Sequence, residues 1–242
     1  MADVDMNSEA VNPDLMDAAP EEAGEAIAIR GSFPVGAVQG EISARDLQFP
    51  SLNIVSKMGK LVETFKPGDL VLNREYFLAS RGTPIQLVVM SSVKSYQERI
   101  PFNANGPRPK TYRTLKEVID DGKYIDWRDD APPTAEEVLT ALLLIKKPDD
   151  LECLAFNNTL DGQRYALARW IMTSTAYTHA ARVILTKSQI ELRDGLDHGL
   201  WELHTKQENI RGFAVDVPVL RLCPQRTSDT FRAEARALFQ GR

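Results

Sequence analysis

The chain has 242 residues, of which 43% are hydrophobic and 26% are charged, and its formal net charge is −5. A chain of this length can bury the core of one large or two small domains. No apolar run reaches 18 residues and no basic segment opens the chain, which argues against a membrane span and a secretory signal. Only two cysteines are present, so no disulfide framework is expected, and a reducing compartment, the cytoplasm, is predicted.

The negative charge is concentrated at the N-terminus. Residues 1–29 contain eight Asp or Glu and no Lys or Arg, which leaves 26 acids against 29 bases in the rest of the chain, a net charge of +3. This composition predicts a disordered acidic tail over residues 1–29 and a single β-rich domain over residues 30–242. An acidic tail of this kind can recruit proteins, compete with a polyanionic ligand or solubilise the chain, and the residues leave these alternatives open.

Residues 49–90 predict a β-meander. Apolar runs at 52–55, 70–72, 76–78 and 85–90 are separated by turn sequences. In the clearest turn, Pro67 presets φ and Gly68 tolerates the positive φ of a type II turn. The last run, 85–90, is apolar except for one Gln, which is the pattern of a strand buried on both faces, so we expect it to be central in the sheet.

Residues 94–128 interleave eight Lys or Arg with five aromatic residues. Residues 103–110 contain prolines and a glycine and are predicted to form a loop, and Thr114 to Asp121 predict a short helix that ends at Gly122. A single-stranded nucleic acid is held by cations that contact phosphates and by rings on which bases stack. The candidate residues are Lys94, Tyr96, Arg99, Phe102, Arg108, Lys110, Tyr112, Arg113, Lys123 and Trp127. Alternatively, about half of the rings lie in the core and the charges belong to a solvated loop.

Residues 138–145 fit two interpretations. The capping-box spacing at Thr134 permits a helix. The almost continuous apolar run, a turn at 147–150 and a second apolar run at 151–156 favour a β-hairpin, and we predict the hairpin.

A helix is predicted from Gln163 to about Leu185, because apolar residues recur there at spacings of three, four or seven. These residues are Ala166, Trp170, Tyr177, Ala180 and Ile184.

The last third of the chain predicts a hairpin and a final helix. Residues 200–204 and 213–219 form the strands, the polar run 206–212 forms the turn, and Pro218 places its strand at a sheet edge because proline lacks the ladder donor. Ser228 can cap the final helix. Its apolar side comprises Phe231, Ala235, Leu238 and Phe239.

No catalytic or metal-binding signature is present. The three histidines and two cysteines match no zinc spacing, and nucleophile motifs and glycine-rich phosphate loops are absent. The Asp pairs at 120–121, 129–130 and 149–150 lie in turn-like contexts, where Asp caps nearby backbone N–H groups. We therefore predict neither an enzyme nor a bound metal or cofactor.

Five segments, taken in order, resemble a group of bacteriophage-encoded proteins described as single-stranded DNA-binding or recombination-associated. The segments are FPSLNIVSK, ETFKPGDLVLN, LTALLLIKKPDDLECLAF, RYALARWIMTSTAY and GLWELHTKQENIRGFAVDVPVLRL. The resemblance extends from about Leu47 to Phe239. It implies an α+β, β-rich fold with an oligonucleotide-binding-like curved sheet or barrel and two to three helices.

The same resemblance implies a non-enzymatic protein that binds single-stranded DNA in phage replication or recombination. Replication or recombination proteins are the partners expected for the acidic residues 1–29. The alternative function is that of a phage structural or protein-interaction protein, such as an oligomerising scaffold. A net charge of +3 is small for a nucleic-acid-binding domain unless the charge is focused on one face, and a near-neutral domain is what the alternative function predicts.

Overall fold

A computed structural model describes residues 49–100, 109–128, 131–210 and 212–240, so the predicted acidic tail lies outside the described residues. The fold is α+β and strand-rich, as predicted, and consists of two antiparallel sheets with a few helices. The first sheet has the order β1-β2-β3. Its strands are β1 (Leu52–Ile54), β2 (Leu70–Leu72) and β3 (Tyr76–Ala79).

The turn before β2 is the one that the sequence predicts. Gly68 has a φ of 90°, which a glycine adopts at little cost. The backbone N–H of Gly68 donates to the carbonyl of Val55, and this bond holds the turn against the end of β1. A short 3₁₀ turn, Lys60–Glu63, lies in the connection between β1 and β2.

The second sheet has the order β10-β9-β4-β6-β8-β7, and β5 pairs with the far half of β4. Its strands are β4 (Ile85–Glu98), β5 (Thr111–Tyr112), β6 (Ala135–Lys146), β7 (Asn158–Leu160), β8 (Gln163–Met172), β9 (Gly199–Ile210) and β10 (Phe213–Arg226). The prediction of a central strand at 85–90 is confirmed, since β4 lies between β9 and β6 and its residues 87–89 are fully buried. Pro218 lies in β10, at the predicted edge.

Two predicted helices are confirmed together with their caps. The helix α1 (Leu115–Asp120) begins after Thr114, whose Oγ1 accepts a hydrogen bond from Glu117 N, and Gly122 follows it with a φ of 70°. The helix α4 (Asp229–Gln240) begins after Ser228, whose Oγ accepts from Phe231 N at 3.0 Å.

The helix predicted over 163–185 is wrong in its first half. Residues 163–172 form β8, because alternate side chains there, at 166, 168, 170 and 172, are buried on one face. The helical part follows as α2 (Ser174–Ala176), a π-helical turn (Tyr177–Ala181) and α3 (Arg182–Ile190). A further 3₁₀ turn, Leu196–His198, precedes β9.

Two hairpin predictions also need correction. The run at 138–145 is a strand, β6, but residues 151–156 form no strand, and β6 pairs instead with β4 and β8. The polar residues 206–210 belong to β9, whose last residue, Ile210, pairs with Phe213, the first residue of β10. Polar residues extend a strand here because β9 and β10 satisfy each other's backbone groups along the whole hairpin.

The described strands do not close into a barrel, so the barrel form of the predicted fold is not confirmed. The largest core lies between the small sheet, one face of the large sheet and the helical segment 174–190. A second core packs α4 on the opposite face, and a third, smaller core lies under α1.

Polar contacts tie the small sheet to the large one at two ends. The buried hydroxyl of Thr205, in β9, donates to the carbonyl of Gly68, and Arg81 Nε lies 2.8 Å from Asp216 Oδ1 of β10. At the other end, Ser51 forms a parallel bridge with Arg169 of β8. The two sheets therefore share one folded unit.

Candidate binding cleft

The predicted site residues on β4 and β5 lie beside α1, and two of the rings are buried. Tyr96 and Tyr112 face each other across the two strands and are 8% and 2% exposed. They pack with Val118 and Ala135 in the small core under α1. Because their ring faces are covered, these two tyrosines do not offer a stacking surface.

The predicted lysines are paired with carboxylates. Lys94 Nζ lies 2.7 Å from Glu137, Lys123 Nζ lies 2.6 Å from Glu98, and Lys110 Nζ lies 3.0 Å from Asp121. The hydrogen bond from Lys123 lowers the pKa of Glu98, and the same bond raises the pKa of Lys123. Much of the positive charge that the sequence offers is therefore compensated locally.

The remaining predicted residues divide into three groups. Phe102 and Arg108 lie outside the described residues. Arg113 is exposed just before α1. Arg99 and Trp127 line one cleft, which has a volume of about 660 Å³.

Two neighbouring carboxylates at the start of β6, Glu136 and Glu137, line this cleft, and we refer to them as its floor because they are half-buried whereas Arg99, Trp127 and Arg182 are exposed. Ser174 Oγ donates to Glu136 Oε2 at 2.6 Å, and Tyr177 OH donates to Glu137 Oε1 at 3.1 Å. Glu137 also accepts from Lys94, and this hydrogen bond raises the pKa of Lys94. Burial raises the pKa of Tyr177. The floor is therefore polar, rich in acceptors and fixed by side-chain contacts.

The opposite wall carries groups of both signs. His179 Nε2 lies 3.7 Å from Glu208 Oε2, and Lys206 forms a 2.6 Å ion pair with Glu208 that lowers the pKa of that carboxyl. Arg182, which is largely exposed, lies 3.9 Å from Glu137 and about 6.0 Å from the ring centre of Tyr177.

The backbone around the cleft departs from regular structure. Ser174 has a φ of +46°, which is uncommon for a residue other than glycine, and the π-helical turn follows directly. Such positions occur often at functional sites, where the surrounding structure maintains them. The turn contacts β6, β8 and β10, so three strands support its position.

The sequence predictions missed Glu136, Ser174, Tyr177 and Arg182. These residues come from β6 and from the helical segment after β8, which only the tertiary fold brings together. The available signal was a polar stretch, Ser174 to His179, inside a segment that otherwise predicted an amphipathic helix.

Among the described residues, no group of three or more His, Cys, Asp or Glu is placed to hold a metal ion, and no helix has the length and apolar character to cross a membrane. Comparison with protein-family models, with curated proteins and with solved structures found no match to this chain.

Proposed function

We propose that the chain is a non-enzymatic protein that binds single-stranded DNA, and that the bound DNA strand passes over the mouth of the cleft. The observation that supports this most directly is that Trp127, 58% exposed, shares the lining of one cleft with Arg99 and Arg182. A ring beside guanidinium groups is the combination that a stacked base and its neighbouring phosphates require.

The charge around the cleft is compatible with a polyanion at its rim. Four cationic side chains, Lys94, Arg99, Arg182 and Lys206, stand against the three carboxylates of Glu136, Glu137 and Glu208. The lysines neutralise two of the carboxylates. The guanidinium of Arg99 has no ion pair among the described residues, and a planar guanidinium suits a phosphate well.

The same proposal redistributes the roles of the residues predicted from sequence. Arg99 and Trp127 contact the DNA strand. The packing and ion pairs beside α1 support these two residues, and they are formed by Tyr96, Tyr112, Lys110 and Lys123. The sheet resembles the oligonucleotide-binding type in presenting loops and strand ends to the ligand, without barrel closure. The protein acts in the cytoplasm of a phage-infected host, where residues 1–29 contact replication or recombination proteins.

A second candidate function is protein interaction, and one observation favours it. Val93 of β4 and Ile171 of β8 flank Thr140 of β6 in register, and the two apolar side chains are 65% and 49% exposed. Adjacent exposed apolar side chains on a sheet can form part of an interface. This function makes no use of the cleft.

The test is fluorescence anisotropy of a labelled, mixed-sequence single-stranded DNA with the full chain at two salt concentrations. Trp127→Ala is expected to weaken binding by roughly 5- to 150-fold, the value of one stacked base. Arg99→Ala is expected to weaken binding and to reduce the salt slope by about one. The matched controls are Phe213→Ala and Arg221→Ala, which replace an exposed ring and an exposed guanidinium on β10.

Equal losses in the cleft variants and the β10 controls would contradict the cleft as the site. Absence of binding at low salt would contradict the function itself. In that case the second candidate is tested by measuring the molar mass of the wild type and of Val93→Glu by light scattering. The wild type is expected to form an oligomer, and the charged variant is expected to be monomeric.

A further inference from the structure

The cleft that the proposed strand crosses is lined by two chemically different sets of side chains, exposed ones at its rim and half-buried carboxylates at its floor. Its volume of about 660 Å³ lies within the range of pockets that bury whole small ligands. The rim carries Arg99, Arg182 and Trp127, whereas the floor carries carboxylates. A nucleotide has the same division, because its phosphate is anionic and the edge of its base can carry N–H donors.

Glu136 is the carboxylate on the floor that lacks a cation. Glu137 is paired with Lys94, and Glu208 is paired with Lys206. Among the described residues Glu136 forms no ion pair, and its recorded hydrogen bond is the one that Oε2 accepts from Ser174. A carboxylate offers about four acceptor positions, so Oε1 of Glu136 is open to a donor from a ligand.

The bond from Ser174 also fixes the direction of this acceptor. Ser174 is held at the junction between β8 and α2 with a φ of +46°, and its Oγ lies 2.6 Å from Glu136 Oε2. With one oxygen held, the other points in a restricted set of directions. Preorganised acceptors of this kind discriminate between ligands more strongly than mobile ones.

We infer that the floor of the cleft receives one unstacked base that carries an exocyclic amino group, with Glu136 as the acceptor, and that it favours such a base over thymine and uracil, whose N3–H donor lies between two carbonyl oxygens that repel the carboxylate. Carboxylates accept from the N4 amino group of cytosine, whereas uracil has a carbonyl oxygen at that position. Two facing acceptors repel each other, and the carboxylates of the floor also keep phosphates at the rim. This inference rests on the proposed DNA-binding function.

The test compares two labelled 12-nucleotide deoxy-oligomers, one of cytosine and one of uracil, by anisotropy with the full chain. The two strands carry the same phosphates and differ at the edge of the pyrimidine. Wild type is expected to bind the cytosine strand about tenfold more tightly, which is the scale of one charge-assisted hydrogen bond. The ratio of the two dissociation constants is expected to be independent of the salt concentration, because both strands release the same counterions on binding.

Two variants assign the preference to the floor. Glu136→Gln is expected to reduce the ratio below about twofold, because the amide presents a donor as well as an acceptor. Ser174→Ala retains the charge but removes the positioning bond, and it is expected to give an intermediate ratio. Glu63→Gln, an exposed substitution on the 3₁₀ turn Lys60–Glu63, is expected to retain the wild-type ratio. Circular dichroism establishes that each variant is folded.

The outcomes separate this inference from the function on which it rests. Equal, salt-dependent binding of both strands by wild type overturns the base preference and leaves the DNA-binding function standing. Binding of neither strand overturns the function. A tenfold preference that persists in folded Glu136→Gln overturns the assignment of the acceptor.

Discussion

The hydroxyl of Tyr112 donates a 2.5 Å hydrogen bond to Oδ2 of Asp121, and Oδ1 of the same carboxylate accepts from Lys110. Burial, together with this bond, raises the pKa of Tyr112, while the bond from Tyr112 lowers the pKa of Asp121. These contacts join β5 to the end of α1. Tyr112 therefore stabilises the packing of β5 against α1, and Trp127 follows this part of the chain into the lining of the cleft.

A double-mutant cycle measures this bond. Tyr112→Phe removes the donor while retaining the buried ring, and Asp121→Ala removes the acceptor. Because the acceptor is charged, we expect a favourable coupling energy between the two substitutions in urea unfolding at neutral pH, reduced by solvent screening of the exposed carboxylate. Additive effects of the two substitutions would show that the bond does not contribute to stability.

Composition pointed to the region of the proposed site, but not to which of its side chains are buried or paired. Lys94 and Tyr96 are two residues apart on β4 and therefore lie on the same face of the sheet. The small core under α1 and the helical segment after β8 both contact this face. Arg99 lies just beyond the end of β4, and its backbone N–H donates to the carbonyl of Thr134, so the pairing with the chain before β6 continues there. The carboxylates of the floor carried no local signal, since Glu136 and Glu137 occur in a capping-box pattern that also fitted a helix.

At the scale of an element, strand β8 shows why the spacing of its apolar residues predicted a helix instead of a strand. Ala166 and Trp170 are four residues apart, and this spacing returns to the same side of both a strand and a helix. The intervening buried Ala168 fits the strand alone. The preceding Asp161-Gly162 is a two-residue hairpin signal, and both residues have positive φ, 47° and 71°.

This turn gives a prediction at the same scale. Gly162→Ala is expected to destabilise the protein by about 1–2 kcal/mol, because alanine is disfavoured in the left-handed region. No atom of the described residues lies within 4 Å of the added Cβ, so the effect is conformational rather than steric. Gly162→Asn is the matched control, since asparagine tolerates this conformation, and it is expected to lose markedly less stability in urea unfolding.

Equal losses for alanine and asparagine would instead indicate a steric cause. Local signals of this kind, including Gly122 at the end of α1 and the cap at Ser228, were sufficient to predict α1 and α4. Strand partners were not predictable in the same way. Residues 151–156 resemble a strand in composition, but β8 occupies the edge of β6 that a hairpin strand would need.

At the scale of the whole molecule, ion pairs link stability to pH. Lys123 lowers the pKa of Glu98 below its ordinary value of 4.5, and Lys206 likewise lowers the pKa of Glu208. A carboxyl with a lowered pKa in the folded state binds protons more readily when the chain is unfolded. Its stabilising contribution is therefore complete above the unfolded pKa and is lost as the pH falls through the folded pKa.

Glu98→Gln tests this linkage. Wild type is expected to be more stable than the variant at pH 7, by about 1 kcal/mol or less for a partly exposed ion pair, and the two are expected to converge as the pH falls to about 3. Urea unfolding at several pH values between 7 and 3 provides the measurement. A difference that is independent of pH would rule out the ion pair as its source.

The strand-rich α+β class was predictable because it follows from local patterns repeated along the chain. Barrel closure was not, because it depends on whether strands distant in sequence pair with each other. The order β10-β9-β4-β6-β8-β7 places the last strand at one edge and β7 at the other. Pro218 indicated the edge position of β10, whereas the hydrophobic pattern did not indicate that of β7.

The bond between the Thr205 hydroxyl and the Gly68 carbonyl joins groups that are 137 residues apart in sequence. During synthesis, at roughly 5–20 residues per second, β1 to β3 leave the ribosome roughly 7 to 27 seconds before their partner in β9. Until then Leu70 and Leu72 lack much of the core in which they are finally buried. The first sheet to be made is therefore among the last to be completed, and its apolar side chains wait for the rest of their core while the chain is synthesised.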